Sequence, residues 1–497
     1  MILSKKSSNI DPNLFINLVF SFFPISFILG NLVTNINIVL FCFLGIFHLK
    51  SKIFTTAFNL PIKIIFSFFV IIIFSTIISF ASELYVEGYE NLNFINLIKS
   101  IFFFRFFLML LVIYFLIKFN ILDFRYFLVT GTFASVILSL DIIYQYIVGI
   151  DILGFKSLGT HNSGFFGDEL IAGSFIKNFA FFSIFFVAHL LKNKNNFKFI
   201  LTLLVIIILA VGILFSGNRM PFILFLFGLS LTLLFSNNLR KILITSFLAL
   251  FIIIGFVASH DDLIKKLYTS YYDNAKSTLN RLLVSFTSNE IKTSGNKAIG
   301  DIGTLSQIGG DDYLDARDDV WTPFKNNNQW IEGEPVNDDF EFFWVLNVSY
   351  ETNERLYLTS LDVWNENKIF GGGIKSFREK CKKYLLHKKN RLCSNHPHNY
   401  YLEILTDTGI IGIFIITTIG LLFVAFILKN FRFFNIKNFE NLILSAATIS
   451  LITETFPIRS TGSIFTTNNA TYIILVAAMV IGYQNLLREK ILPKNIV

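Results

Sequence analysis

Long apolar runs separated by short polar segments recur along this chain and constrain its fold more than any other feature. A helix of about 20 apolar residues crosses the bilayer's hydrocarbon core, which is about 30 Å thick, because each residue rises about 1.5 Å. The sequence therefore predicts an all-α polytopic membrane protein with about 12 transmembrane helices. The twelve runs lie near residues 13–29, 33–48, 61–82, 98–117, 126–148, 173–191, 199–215, 220–236, 242–258, 399–428, 439–455 and 467–487.

Composition agrees with a membrane setting. Of the 497 residues, 54% are hydrophobic and only 15% are charged, and the mean hydropathy is +0.62. Soluble globular domains carry about 25% charged residues. The net charge of +8 could indicate a nucleic-acid partner in a soluble chain. In a multispanning protein, however, Lys and Arg gather in cytoplasmic loops and fix the orientation, so we expect no nucleic-acid partner.

Basic residues segregate into alternate loops, and this pattern predicts the orientation. The opposite short loops hold a Glu-rich stretch at 83–90 or a single cation each. The positive-inside rule then places both termini in the cytoplasm and exports residues 259–397. We expect helices 1 to 9 in residues 1–258, a mainly helical periplasmic loop domain at 259–397, and helices 10 to 12 in residues 398–497. The basic loops contain Lys5, Lys6, Lys50, Lys52, Lys63, Lys118, Arg125, Lys192, Lys194, Lys198, Arg240, Lys241, Lys429, Arg432, Lys437, Arg488, Lys490 and Lys494.

The exported region has its own pattern. Apolar residues at three-to-four spacing predict amphipathic helices at 263–283 and 355–366. The Gly- and Asp-rich stretch between them predicts a loop, and the acidic cluster at 311–319 lacks the spacing of a calcium loop. Cys381 and Cys393 could form a disulfide if the region faces an oxidising compartment, or could remain two thiols.

Four polar stretches interrupt the apolar pattern, and all fall on the exported side. A lone Arg in such a stretch can simply anchor the chain at the lipid headgroups, and a His near a helix start can simply cap the helix. Polar groups at membrane depth nevertheless cost free energy unless they have partners or a function. Their segregation to one side favours a functional site. The stretches are GTHNSGFFGDELIAGSF (159–175), FSGNRMPF (215–222), NHPHNYYLEILTDTG (395–409) and FPIRSTGSIF (456–465).

Arginine and histidine together suit transfer from a phosphate leaving group. A guanidinium binds phosphate oxygens in a bidentate manner, and an imidazole can take a proton from an attacking hydroxyl near neutral pH. The sequence has no GxxxxGK[ST] loop and no HExxH, and the exported region has no DxD motif. We therefore expect neither ATP-driven transport nor a metal or other cofactor.

The order of these features resembles the O-antigen ligase and polymerase superfamily. The family signature is His-Asn, an aromatic or apolar pair, Leu, and a Thr-Gly near the start of a span. The stretch ERLYLTSLDVWNENKIFGGGIKSF also resembles the family's segment before that His, and the similarity covers about residues 150–465. The residues that fit the signature are His398, Asn399, Tyr400, Tyr401, Leu402, Glu403, Leu405, Thr408 and Gly409.

The resemblance implies a glycosyl transfer at the periplasmic face of the bacterial inner membrane. The donor would be a glycan on undecaprenyl pyrophosphate, and the acceptor a sugar hydroxyl of lipid A-core or of another lipid-linked glycan. His398 would be the general base, and Arg219 would bind the pyrophosphate. Weaker candidates for acceptor or phosphate contacts are His396, Asn399, Arg355 and Arg459.

One departure from the family concerns the second phosphate contact. Family members usually carry an Arg just ahead of the Gly-Phe-Phe stretch, where this chain has His161. Lys156 is the nearest stronger cation. His161 would supply positive charge only when protonated.

Three alternatives remain open at this stage. A ligase and a polymerase share the donor and differ in the acceptor; the single large loop before His398 favours a ligase in lipopolysaccharide biosynthesis. A flippase or transporter would carry charges within its spans, and Lys99, Arg105 and Asp141 interrupt or border spans here. A non-catalytic scaffold that binds envelope components is the third.

Overall fold

The computed structural model describes residues 13–53, 58–87, 94–159, 161–191, 195–260, 269, 320–321, 352–385, 391–459 and 462–491. Within these ranges the regular structure is almost entirely helical. The strands are β1 (Val320–Trp321) and β2 (Cys393–Ser394), which pair antiparallel. The helices are α1 (Leu14–Ser21), α2 (Phe23–Ile28), α3 (Asn31–Leu49), α4 (Leu60–Glu87), α5 (Phe94–Phe103), α6 (Arg105–Lys118), α7 (Phe124–Val148), α8 (Ala172–Leu190), α9 (Asn195–Phe215), α10 (Arg219–Phe235), α11 (Arg240–His260), α12 (Thr352–Glu366), α13 (Ser376–Leu385), α14 (Tyr400–Lys429), α15 (Phe439–Glu454) and α16 (Thr467–Ile491).

The helical, membrane-spanning class is confirmed, whereas the count of twelve spans is not established. Nine helical stretches in the described ranges are long and apolar enough to cross a bilayer. The stretches Leu14–Ile28 and Arg219–Phe235 are apolar but shorter, and α15 has only 16 residues. Each predicted run nevertheless coincides with a helix or a pair of helices.

The helices pack into one bundle with α8 near its centre. Helix α8 contacts α7, α9, α10 and α15, while α6 packs along α16 and α14 packs along α4. In the 18-residue apolar windows of these spans, 78% of residues are buried in α8 and only 11% in α14. The outer surface of α14 is therefore available to lipid.

Aromatic rings fill the core between helices. The Phe20 ring of α1, for example, lies 5.2 Å from those of both Phe124 and Phe127 in α7. Aromatic pairs at such distances add attraction beyond the area that they bury. The abundant phenylalanines are thus largely packing residues.

Helix α14 is broken near its start at Gly409. The Gly409 backbone has φ 64° and ψ −161°, so its turn cannot continue the α-helical hydrogen bonds. The segment 368–373 inserts there instead: Ile410 N donates to Lys368 O at 2.9 Å, and Gly372 N donates to Thr406 O at 2.8 Å. The break makes residues 400–408 a short, separately oriented helical segment.

Two helices of the region 259–397 are described. The amphipathic helix predicted at 355–366 is confirmed as α12, whereas the one predicted at 263–283 and the acidic loop at 311–319 lie essentially outside the described residues. Cys381 of α13 and Cys393 of β2 form a disulfide, which settles the alternative that the sequence left open. The domain boundaries at 258 and 397 stay a prediction.

Candidate functional site

His398 occupies a strained turn directly before α14. Its backbone φ is 58°, a left-handed conformation that non-glycine residues rarely adopt and that often marks functional sites. The side chain is 9% exposed, and its Nε2 lies 3.3 Å from Ser394 Oγ. The His396 ring stacks on the His398 ring with centroids 4.4 Å apart. The turn therefore holds one imidazole in a fixed position, with a second against its face.

Asn399 fixes this turn to the neighbouring loop. As the N-cap of α14, its Oδ1 accepts from Tyr401 N at 2.9 Å and Leu402 N at 3.2 Å. Its Nδ2 donates to Pro457 O at 2.9 Å and Arg459 O at 3.2 Å. Both ends of the amide are thus occupied, and segment 455–459 is bound next to His398.

Helix α12 supports the same turn from the other side. The Tyr357 side chain hydrogen-bonds with Asn399, and burial raises the pKa of Tyr357 to about 12 although that bond opposes the rise. Arg355 donates from Nη2 to Arg391 O at 2.9 Å. Arg355 therefore ties α12 to the segment that leads through β2 into the histidine turn.

Beneath the turn lies a buried ionic cluster that we call the Glu454 cluster: Lys177, Glu454, Arg459 and Tyr400. Glu454 forms ion pairs with both Lys177 and Arg459 and accepts a hydrogen bond of 2.9 Å from the Tyr400 hydroxyl. The Arg459 guanidinium also lies 4.8 Å from the centroid of the Tyr400 ring. Burial acts to lower the pKa of Arg459, but the Glu454 carboxylate outweighs it and raises that pKa.

Two carboxylates on the first turns of α14 hold the flanking loops. Glu403 accepts from Ser463 Oγ at 2.6 Å and Ile464 N at 2.8 Å. Asp407 accepts from Lys375 N at 2.7 Å and Ser376 Oγ at 2.8 Å. These bonds satisfy the buried carboxylates and fix the loops on either side of the short segment 400–408.

Arg219 is the first residue of α10 and follows a tight turn. Gly217 has φ 74°, and Gly173 of α8 packs so closely that an added Cβ would lie 2.4 Å from Ser216 Oγ and 2.9 Å from Asn218 Cβ. Arg219 is partly exposed. No hydrogen bond or ion pair of its guanidinium occurs within the described ranges, so the charge is available to a ligand.

The loop that carries Lys156 and His161 docks on this turn. Asn162 donates from Nδ2 to Phe215 O at 2.6 Å, and its backbone N donates to Ser216 O at 3.4 Å. From α7, Gln145 accepts from Gly164 N at 2.9 Å. His161 is partly exposed and Lys156 exposed. The structure thus brings the His161 loop to the Arg219 turn.

The predicted site residues form two groups. His396, His398, Asn399 and Arg459 lie together at the start of α14, while the His161 loop and Arg219 lie together where α8 and α10 begin. The Lys177–Glu454 ion pair joins α8 to α15, and the Tyr400–Glu454 hydrogen bond joins α15 to α14. Contacts that the structure shows therefore connect the two groups through the Glu454 cluster.

Sequence reasoning missed Lys177 and Glu454. Each is a charge in an otherwise apolar run, Lys177 in FIKNFAFF and Glu454 in ISLITETF. Such charges inside a predicted span are the signal that would have identified them. Their pairing across 277 positions of sequence could not have been read from either run alone.

Comparison with known proteins bears on the family of the chain. Residues 203–417 match the Wzy_C family model, described as O-antigen ligase. The match runs from within α9 into α14 and includes Arg219, Arg355, His396, His398 and Asn399. No curated protein matches the chain significantly. The family match confirms the resemblance to O-antigen ligases over residues 203–417.

Proposed function

We propose that this protein is an O-antigen ligase-type glycosyltransferase of lipopolysaccharide biosynthesis. It moves a glycan from undecaprenyl pyrophosphate to a sugar hydroxyl of lipid A-core at the periplasmic face of the inner membrane. The observation that carries the proposal is the placement of His398. It sits at positive φ, nearly buried, in a turn that α12, α14 and segment 455–459 hold from three sides.

In the proposed reaction His398 takes the proton of the acceptor hydroxyl. The acceptor oxygen then bonds to the anomeric carbon of the donor glycan, and the bond from that carbon to the pyrophosphate oxygen breaks. The pyrophosphate leaves as an anion. Arg219, which has no side-chain partner within the described ranges, stabilises the charge that develops on it.

The other candidate residues divide into contacts and supports. His161 and Lys156, on the loop that docks beside Arg219, supply the second phosphate contact. His396 stacks on the catalytic ring and lies beside the path of the acceptor. Asn399, Arg355 and Arg459 already make protein contacts, so their main role is to hold the turn, with residual contact to substrate.

The disulfide supports the proposed orientation. Disulfides persist in oxidising compartments such as the bacterial periplasm and are rare in the cytosol. The Cys381–Cys393 bond lies next to the histidine turn, on the side to which the positive-inside rule exports residues 259–397. Both termini are then cytoplasmic.

A polymerase is the second candidate, because it uses the same donor chemistry with a second lipid-linked glycan as acceptor. The Wzy_C match fits either activity at this level. A flippase receives less support, since the charges within spans have structural roles. Arg105 donates to Asn35 Oδ1 at 3.0 Å, and Asp141 accepts from Ile152 N at 3.0 Å.

The test is a pair of substitutions in a host whose own gene for this step is deleted. His398→Ala and Arg219→Ala should each insert normally but leave lipid-linked glycan unused, as seen by polysaccharide electrophoresis and extraction of the lipid carrier. His260→Ala, which changes an exposed histidine at the end of α11, is the matched control and should keep full activity.

The products separate the two candidate activities. A lost ligase leaves bare core with accumulated long chains, whereas a lost polymerase leaves single repeat units on the core. Full glycan attachment by both His398→Ala and Arg219→Ala would refute the assignment of the site.

A further inference from the structure

The turn before α14 is closed by a contact between Ser394 and His398. Ser394 Oγ lies 3.3 Å from His398 Nε2, and the two residues are only 1% and 9% exposed. Within the described residues, the Ser394 hydroxyl makes no other hydrogen bond. Several buried serines of the helices donate instead to a carbonyl of their own helix, as Ser246 Oγ does to Ile242 O at 2.8 Å. The Ser394 hydroxyl is therefore committed to the imidazole and not to the backbone.

The contact matters most when His398 carries a positive charge. In a neutral imidazole one ring nitrogen carries a hydrogen, and a serine hydroxyl can donate to the bare nitrogen or accept from the other. Once His398 has taken the acceptor proton, both nitrogens carry a hydrogen, so Nε2 donates and Ser394 Oγ accepts. Hydrogen bonds to charged groups contribute more than bonds between neutral groups. The bond therefore favours the transition state over the bound substrates.

Ser394 is itself held by the disulfide. It is the second residue of β2 and directly follows Cys393, which is bonded to Cys381 of α13. Both cysteines are buried in a small core with Leu356 of α12 and Phe377 of α13. A shift of a few tenths of an ångström would carry the 3.3 Å contact beyond hydrogen-bonding distance. The position of the hydroxyl thus depends on a covalent bond one residue away.

We propose that Ser394 is a positioning residue for the His398 imidazole and that the Cys381–Cys393 disulfide acts on glycan transfer through it. This inference rests on the proposed function. Ser394 touches neither donor nor acceptor; it holds the ring and accepts from the imidazolium. Reduction of the disulfide by a dithiol gives two cysteine thiols and the oxidised dithiol, and it slows transfer because it releases β2. Transfer by this protein therefore depends on an oxidising compartment.

The first experiment separates kcat from KM. The full chain in nanodiscs is assayed with undecaprenyl-pyrophosphate-linked glycan and lipid A-core, both extracted from the deletion host, and each is varied in turn. Ser394→Ala should lower kcat about 10- to 100-fold. The KM for each substrate should stay within about twofold of the wild-type value, because the lost bond is made only in the transition state. An unchanged kcat, or a loss confined to KM, would overturn the proposal.

Three controls test whether the hydroxyl itself is responsible. Ser394→Thr keeps the hydroxyl and should regain most of the lost kcat. Ser246→Ala removes a buried hydroxyl that bonds within its own helix, α11, and should keep the wild-type kcat. Each variant should melt well above the assay temperature, which excludes unfolding as the cause of a loss. A folded Ser394→Thr protein as slow as Ser394→Ala would contradict the role of the hydroxyl.

The second experiment tests the disulfide. At a temperature where the reduced protein is still folded, dithiothreitol should lower the kcat of the wild type towards that of Ser394→Ala. It should change the kcat of Ser394→Ala by no more than about twofold, since effects that pass through one contact are not additive. An equal fractional loss in both proteins would overturn the proposed coupling.

His398→Ala distinguishes failure of this inference from failure of the proposed function. If His398→Ala retains transfer, the proposed function itself is refuted. If His398→Ala loses transfer while Ser394→Ala keeps the wild-type kcat, only the role given to Ser394 is refuted.

Discussion

The break in α14 at Gly409 leads to the most specific prediction. In Gly409→Ala the new Cβ would lie 2.3 Å from Ile369 O and 2.6 Å from Gly371 N. The backbone, at φ 64° and ψ −161°, is in a region that essentially only glycine occupies. The side chain can be accommodated only if segment 368–373 moves away or α14 straightens.

The expected cost combines two contributions. Backbone strain at such a position is about 1–3 kcal/mol. Displacing segment 368–373 also breaks the hydrogen bonds Ile410 N to Lys368 O and Gly372 N to Thr406 O, at about 1 kcal/mol each. The free energy of unfolding should fall by about 3–5 kcal/mol. At about 2 cal/mol/K per residue, this lowers the melting temperature by roughly 3–5 °C if the whole chain melts together.

The assay is thermal unfolding of the purified protein in detergent, with glycan transfer measured in parallel. Gly420→Ala in the same helix is the matched control, because among the described residues no atom outside the adjoining helix backbone lies within 4 Å of its added Cβ. Alanine there should be neutral or stabilising by up to about 1 kcal/mol. Gly409→Ala should also lose transfer activity. The histidine turn leads directly into residues 400–408, and the orientation of those residues depends on the break at Gly409. Wild-type stability and activity in Gly409→Ala would refute the reasoning.

Three further predictions concern the supports of the histidine turn. Asn399→Ala removes a helix cap and two donors to segment 455–459 and should destabilise the protein by about 2–3 kcal/mol in chemical unfolding. Asn399→Asp keeps the cap oxygen but turns a second acceptor oxygen towards Pro457 O and Arg459 O, so it should lose at least as much. Replacing both Cys381 and Cys393 by Ser removes a disulfide of sequence separation 12 and should lower the free energy of unfolding by about 3 kcal/mol. Reduction with dithiothreitol should lower the stability of the wild type by the same amount and leave that of the double variant unchanged. Burial would raise the pKa of Glu366, but the Tyr384 hydroxyl and the Lys383 and Lys380 ammonium groups outweigh it and lower that pKa. The stabilisation is present above the ordinary value of 4.5 and is lost as pH falls through the lower folded value. The hydrogen-exchange protection factors of α12 and α13, which are corrected for the intrinsic pH dependence of exchange, should therefore fall in acid, and Glu366→Gln should abolish that fall.

Much of the architecture could be predicted because hydrophobicity acts locally. A run long and apolar enough to span a bilayer forms a helix wherever it sits, since the backbone has no other way to satisfy its hydrogen bonds in lipid. Each predicted run therefore coincides with helical structure. The amphipathic period of 355–366 is local in the same sense, and it was recognisable for the same reason.

Tertiary structure decided what local patterns do not encode. Glycine at 409 is equally compatible with a continuous helix, and only the insertion of segment 368–373 breaks α14 there. Lys177 and Glu454 are 277 positions apart, so nothing in either apolar run specifies the other as its partner. The sequence by itself determined the helices and the residue types of the site. Packing determined which of those residues meet, because a buried charge finds its counter-charge through space and not along the chain.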